Sequence, residues 1–159
     1  MPTVRRARPD DVPALGRLGA LLVAVHHGFD PDRFIAPGPQ TERGYGGFLR
    51  GELARDGAVV LVAEVEGQVV GYAYASLEGS DWMALRGPAG VLQDLVVDPA
   101  TRRQGIGRRL LEAAVEALVA MGAPRLVLST AEKNHDAQRL FAAAGFRPTM
   151  IEMTREVGG

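Results

Sequence analysis

The chain of 159 residues contains no cysteine. It therefore forms no disulfide, offers no thiolate to a metal and has no cysteine nucleophile. Excess charge of one sign is also lacking, because 18 basic and 19 acidic side chains leave a formal net charge of −1. Such a balance provides no general attraction to nucleic acid, so we expect no nucleic-acid partner.

Long apolar runs are missing as well, since no stretch approaches the roughly 20 residues that cross a bilayer. The opening residues, Met1 to Arg6, lack the apolar core of a signal peptide. We therefore expect no membrane partner and a cytoplasmic protein. The length corresponds to one domain, at about 150 residues per domain, so residues 1–159 are predicted to form a single domain.

The apolar residues that are present predict both strands and helices. Val-rich runs on either side of Gly67 are typical of a hairpin. After Asp98-Pro99 the apolar period changes from that of a strand to that of a helix. The predicted order is β-α-α-β-β-β-α-β-α-β, an α/β fold with helices on the faces of a mixed sheet. The predicted strands are 3–7, 58–66, 68–77, 91–97, 126–128 and 149–155, and the predicted helices are about 11–25, 45–53, 105–121 and 137–144.

Segment 93–109 carries the most informative pattern. An apolar strand ends, and a helix then opens on Gly105-Ile106-Gly107. The free N–H groups of a helix N-terminus suit a phosphate, and glycine lets a pyrophosphate approach the backbone closely. The chain lacks the Gly-Lys-Ser/Thr of a Walker A loop, and Leu110 stands where a dinucleotide fingerprint has a third small residue. Four arginines add positive charge nearby, namely Arg102, Arg103, Arg108 and Arg109.

The pattern Arg102-x-x-Gly105-x-Gly107 after an apolar strand resembles the coenzyme A motif of the GNAT superfamily of N-acyltransferases. Segment 134–146 is similar to a second signature of that family, an Asn-x-x-Ala helix that ends in Gly-Phe. The resemblance covers nearly the whole chain. It implies a GNAT-type fold in which two parallel central strands, here 91–97 and 126–128, splay apart, and acetyl-CoA lies in the gap.

The resemblance also implies the reaction, which is direct attack of an amine on the thioester of acetyl-CoA. The backbone of Leu95, Val96 and Val97 would bind the pantetheine arm and polarise the thioester carbonyl. Asn134 would contact the pantetheine. The remaining cofactor-binding residues would be Arg102, Arg103, Gln104, Gly105, Ile106, Gly107 and Arg108.

Most amines are protonated at pH 7, so the reaction needs a proton acceptor. Asp94 lies at the strand position where many relatives have an acid, and burial there would raise its pKa. Glu78, at the end of the preceding strand, is the second candidate. Relatives often protonate the leaving thiolate with a tyrosine, but this chain has Phe141 at that position. Water would then donate the proton, or one of the tyrosines would do so, namely Tyr45, Tyr72 or Tyr74.

Three further expectations concern ligands and partners. His26 and His27 are adjacent, and adjacent positions on a helix point apart, so we expect a partly exposed helix end and no metal. The substrate amine, of a small molecule, would lie under residues 29–55. We also expect a homodimer, for which the alternating apolar residues Met150, Ile151 and Met153 would serve as an interface unless they are ordinary core.

Two alternative functions remain open on the sequence. Phe141 motivates a non-catalytic acyl-CoA sensor, because phenylalanine cannot donate a proton. A protein acetyltransferase acting on lysines or an N-terminus would need an open groove for its substrate.

Overall fold

The structure, a computed structural model, describes residues 1–101 and 104–158. The described part forms five strands and four helices, with short 3₁₀ turns before the first and third helices. The strands are β1 (Thr3–Arg6), β2 (Ala58–Val65), β3 (Gln68–Glu78), β4 (Ala89–Val97) and β5 (Leu126–Leu128). The helices are α1 (Val12–Phe29), α2 (Thr41–Glu52), α3 (Ile106–Ala120) and α4 (His135–Ala143).

The strands form one mixed sheet in the order β1-β2-β3-β4-β5. Neighbours are antiparallel except β4 and β5, which are parallel. Their pairing begins at Gly90 with Leu126 and ends at Leu92 with Leu128, whereas β4 continues to Val97. The predicted separation of the two parallel strands is therefore present, and it begins after Leu92.

The core has two layers because successive side chains of a strand point to opposite faces of the sheet. Helix α3 covers one face, where it buries residues at spacings of one, three and four, as an amphipathic helix does. Helices α1 and α2 cover the other face. The α3 side holds Ile106, Leu110, Leu111, Ala114 and Leu118 with Leu61, Ala63, Ala73 and Ala75, and the α1–α2 side holds Leu15, Leu18 and Leu49 with Val60, Val62, Tyr72 and Tyr74.

Helices α1 and α2 approach each other closely through two buried glycines of α1. A Cβ at Gly16 would lie 2.6 Å from the carbonyl oxygen of Glu42, and a Cβ at Gly19 would lie 2.3 Å from the ring of Tyr45. Both positions therefore require glycine. By length and composition alone, segment Pro9–Phe29 could span a membrane, but the buried side of α1 packs on α2 and on the sheet.

The strand predicted at 149–155 is wrong. This segment has no strand assignment, and the side chains of Met150, Ile151 and Met153 are 76%, 84% and 90% exposed, so they are not core either. The alternating pattern indicates an extended segment, but a strand also needs a neighbour to bond with. Pro148 lacks an N–H, and β5, at the edge of the sheet, is only three residues long. An ion pair between Arg33 and Glu152 ties the segment to the loop after α1.

Candidate active site

A cleft of about 260 Å³ opens where β4 and β5 separate. Its walls come from the two strand ends, the last turns of α1, the loop after α1 and the start of α4. The parallel strand pairing stops at Leu92 and Leu128, and both residues line the cleft. The full lining is Leu22, Val23, His26, Phe34, Ile35, Leu92, Gln93, Asp94, Leu95, Leu128, Ser129, Thr130, Asn134, Ala137 and Phe141.

Asp94 is the acidic side chain at this cleft. Its Oδ2 accepts hydrogen bonds from the hydroxyl of Tyr45 at 2.7 Å and from the hydroxyl of Tyr72 at 2.8 Å. Burial raises the pKa of Asp94, while the two hydroxyl donors and the charge of His26 act in the opposite direction without cancelling that rise. The predicted rise of the Asp94 pKa is thus supported, together with its predicted cause.

A β-bulge directs Asp94 to the side of the sheet where its tyrosine partners lie. Tyr74 pairs with Asp94 and Ala75 pairs with Leu92, so Gln93 is an extra residue in β4. Residues two apart in a strand normally share a face. Leu92 belongs to the core under α3, whereas the bulge turns Asp94 toward α1 and α2.

The two tyrosines reach Asp94 from different elements. Tyr72, in β3, is fully buried and pairs with Val96 of the neighbouring strand. Tyr45, in α2, lies against the bare backbone of Gly19. Helix packing and strand register therefore both determine the environment of the carboxylate.

The tyrosine hydroxyls are poorly suited to protonate a leaving thiolate. Burial, followed by the charge of Asp94, raises the pKa of Tyr45 and of Tyr72 well above the ordinary value. Burial and a hydrogen bond to Glu52 raise the pKa of Tyr74 to about 12, and the Tyr74 hydroxyl donates to Glu52 Oε2 at 2.6 Å. A raised pKa means that each hydroxyl holds its proton more firmly.

Glu78, the second predicted base, lies at the end of β3 and outside the cleft lining. Its Oε1 accepts a hydrogen bond from the hydroxyl of Ser76 at 2.7 Å and lies 3.9 Å from Nη2 of Arg55. The structure therefore brings only one of the two candidate carboxylates to the cleft among the residues that it describes.

The start of α3 adjoins the end of β4. Gly105 precedes the helix with φ of 72°, a left-handed conformation that favours glycine, and among the described residues no side chain caps the first turn. A Cβ at Gly107 would lie 3.7 Å from Val97 of β4 and from Leu140 of α4. The predicted phosphate-binding backbone therefore lies next to the predicted pantetheine-binding strand.

The other predicted cofactor residues divide into three groups. Leu95 and Asn134 line the cleft, and Oδ1 of Asn134 caps α4 by accepting the N–H of Ala137 at 3.2 Å. Val96 and Ile106 have buried side chains, so only their backbone groups are available to a ligand. Gln104 is exposed, as is Arg108, which pairs with Glu112 at 3.0 Å, whereas the predicted Arg102 and Arg103 lie outside the described residues.

Several cleft residues had no functional role in the sequence analysis. His26, which the sequence predicts at a partly exposed helix end, lines the cleft. Phe34 and Ile35 come from the Pro-rich loop after α1, and Ser129 and Thr130 follow β5. Their position depends on how α1 and its loop cross the sheet, which no local pattern reveals.

Comparison with known proteins defines the class. Residues 23–146 match the acetyltransferase (GNAT) family, a match that spans β2 to β5 and α2 to α4. The chain therefore belongs to the GNAT family of acetyltransferases.

Three known proteins illustrate the relationship. An uncharacterized N-acetyltransferase of Archaeoglobus fulgidus is 27% identical over 91% of this chain and 92% of its own length. The aminoglycoside N(6')-acetyltransferase type 1 of Klebsiella aerogenes is 30% identical over 62% of this chain and 65% of that enzyme. The structure of a predicted acetyltransferase from Clostridium acetobutylicum with acetyl-CoA has a TM-score of 0.74 and 18% identity, covering 97% of this chain and 96% of that one. This last likeness shows that the fold is shared.

Proposed function

We propose that the protein transfers an acetyl group from acetyl-CoA to a primary amine of a small molecule. The observation that carries this proposal is the partly buried carboxylate of Asp94 in a cleft between two separating parallel strands. A carboxylate in that position would lie beside the substrate amine and close to the strand backbone that would hold the thioester.

The described residues fit acetyl-CoA. Beyond Leu92, no described strand pairs with β4 on its β5 side, so backbone groups there are available to the pantetheine arm. The uncapped N-terminus of α3 supplies N–H groups for the pyrophosphate. The acetyl-CoA in the Clostridium acetobutylicum protein of the same fold supports this assignment.

The chemistry follows from these positions. The neutral amine attacks the thioester carbonyl, and backbone N–H groups near Leu95 stabilise the negative charge that develops on its oxygen. Water then protonates the leaving thiolate. Phe141 and the tyrosines are unsuited to that step, and a thiol with a pKa near 8.5 leaves without strong acid assistance.

The acceptor is a cationic amine in this proposal. Ammonium compounds bind beside a carboxylate, and Asp94 provides one inside the cleft. The Klebsiella aerogenes relative, by its name, acetylates aminoglycosides, which carry several such amines. Aminoglycosides and polyamines are therefore the first acceptors to test.

The test measures release of free coenzyme A from acetyl-CoA with aminoglycosides, polyamines, amino acids and short peptides. We expect Asp94→Asn to lower kcat/KM by about 10- to 150-fold, because loss of a hydrogen bond to a charged group costs about 1.5–3 kcal/mol. Glu78→Gln is the matched control and should retain the wild-type rate, because Glu78 lies outside the cleft.

Equal rates for Asp94→Asn and the wild type would contradict the role of Asp94. Coenzyme A binding without release on any amine would favour the acyl-CoA sensor instead, and peptides as the best acceptors would favour a protein acetyltransferase.

We also propose a homodimer. The exposed apolar side chains of Met150, Ile151 and Met153 and the short open edge at β5 support it, because a second copy would cover both. A cytoplasmic location stays a prediction of the sequence.

A further inference from the structure

We infer that His26 is the proton acceptor of the transfer reaction, through its Nε2, and that Asp94 holds the amine in place. This inference rests on the proposed acetyl transfer and assigns the proton step within it.

The protonation pattern of the His26 ring follows from one hydrogen bond. Nδ1 lies 2.8 Å from the carbonyl oxygen of Leu22, one turn earlier in α1. A carbonyl oxygen can only accept, so Nδ1 must carry the hydrogen. In the neutral ring Nε2 is then left with its lone pair, which is the form a base requires.

Two aromatic rings hold the imidazole in this orientation. Phe29 contacts it edge-to-face with a centroid distance of 5.7 Å, and Phe34 does so at 5.1 Å. The ring lines the cleft together with Asp94. A base that is held rigidly at the substrate site loses little freedom when it accepts a proton.

His26 and Asp94 are the two ionisable side chains in the described lining of the cleft, one from α1 and one from β4. Both hydroxyl donors of Asp94 reach the same Oδ2 and favour its charged form, whereas burial has the larger effect and raises its pKa. The two tyrosines leave Oδ1 to accept from a substrate ammonium group, and the imidazole is suited to take its proton.

Other charged groups near His26 are part of its environment. Asp30 follows α1, and Arg33 stacks over the ring of Phe34 with Cζ 4.8 Å from the centroid. Arg33 pairs with Glu152, so its positive charge is largely compensated. Asp94 lines the same cleft, and the charge of His26 acts to lower the pKa of its carboxyl group.

The substrate ammonium gives one proton to Nε2, and the freed nitrogen lone pair forms the C–N bond to the acetyl carbon. The C–S bond then breaks, and its electron pair leaves with the sulfur of coenzyme A. A second proton passes from the nitrogen through water to the thiolate. His26 returns its proton to solvent, so one proton is released per acetyl group transferred.

The test compares His26→Asn with His27→Asn across pH 6 to 9. The asparagine amide replaces Nδ1–H and keeps a donor for Leu22, but it has no base at the position of Nε2. His27 is the matched control, because its Nδ1 bonds to the carbonyl oxygen of Phe34 at 2.9 Å and its ring is outside the cleft lining.

We expect His26→Asn to lower kcat/KM at pH 7 by about 100-fold or more. The rate of this variant should then rise about tenfold per pH unit, because solution hydroxide must deprotonate the amine. His27→Asn should follow the wild-type profile. A His26→Asn profile that matches the wild type, or runs parallel below it, would overturn the inference, because a structural defect lowers the rate at every pH alike.

A measurement on the wild-type protein covers the case in which His26→Asn fails to fold. The chain has three histidines. The ¹⁵N spectra of His27→Asn and His135→Asn each lack the signal of the replaced residue, so the signal that is present in both spectra belongs to His26. We expect the neutral ring to carry its hydrogen on Nδ1, and the opposite tautomer would refute the assignment. If the wild type acetylates an amine and His26→Asn does so at the same rate, only the inference fails. If the wild type acetylates no amine, the proposed function fails as well.

Discussion

Replacing Gly19 by alanine should break the link between helix packing and the active-site carboxylate. The new methyl group would lie 2.3 to 2.9 Å from three ring atoms of Tyr45, closer than any real contact. The ring must therefore move, and its hydroxyl loses the 2.7 Å hydrogen bond to Asp94. This substitution tests whether α1 positions the tyrosine that in turn positions the acid.

The expected size follows from three opposing contributions. Alanine favours a helix over glycine by about 1 kcal/mol. Against this, overpacking costs about 1–3 kcal/mol, and loss of a hydrogen bond to a charged group costs about 1.5–3 kcal/mol. We expect Gly19→Ala to lower the free energy of unfolding by about 1.5–5 kcal/mol.

Urea unfolding followed by circular dichroism measures this change, with an unaltered m-value showing that the unfolded state is unaffected. Gly28→Ala is the control in the same helix. A Cβ at Gly28 would meet nothing within 4 Å, so that variant should be as stable as the wild type or up to about 1 kcal/mol more stable. If Gly19→Ala proves as stable as Gly28→Ala, then Tyr45 does not depend on Gly19 and the reasoning fails.

Two further predictions concern stability and assembly. Asp11 accepts from both Nη1 and Nη2 of Arg5, at 2.8 and 3.0 Å, and this pairing lowers the pKa of Asp11. Asp11→Asn should therefore cost about 1.5–3 kcal/mol at pH 7. The difference from the wild type should begin to shrink below about pH 4, the unfolded value, and disappear as the pH falls through the lower pKa of the folded state. Equal urea midpoints at pH 7 would contradict the role of this pair. For the homodimer, light scattering at micromolar concentration should give twice the mass of 16.9 kDa, and a double substitution Ile151→Asp with Met153→Asp should give the monomer; a monomeric wild type would refute the dimer.

Much of the fold was predictable because local patterns specify it. The apolar spacing in α3 and the hairpin at Gly67 depend on near neighbours in sequence, and both elements are present with bounds shifted by one or two residues. Four glycines give the second helix a low intrinsic helix propensity, namely Gly44, Gly46, Gly47 and Gly51. It forms as α2 because it packs on Gly16 and Gly19, so tertiary contact outweighs its weak helix propensity.

The candidate site was predictable only where a family motif pointed to it. Asp94 and Asn134 were identified in this way, and both line the cleft. The bulge at Gln93 leaves no mark in the apolar pattern, so the tyrosine partners of Asp94 could not be assigned. His26 reaches the cleft because α1 crosses the sheet, and no local pattern specifies that crossing. Whether residues 149–155 form a strand likewise depends on residues that are distant in the sequence.

Because Gln93 is an extra residue in β4, the face of the sheet on which Asp94 lies depends on the number of residues in the paired strands and not on which residue stands at position 94. A change at Asp94 alters the chemistry of the cleft but leaves the strands in register. A one-residue insertion in β3 between Tyr74 and Ala75 would give Gln93 a partner and restore regular alternation, so that Asp94 would share the face of Leu92 in the apolar layer beneath α3, where a charge has no partner. Substitutions at Asp94 can therefore adjust this carboxyl group in place, whereas loss of the bulge through such an insertion would remove it from the cleft.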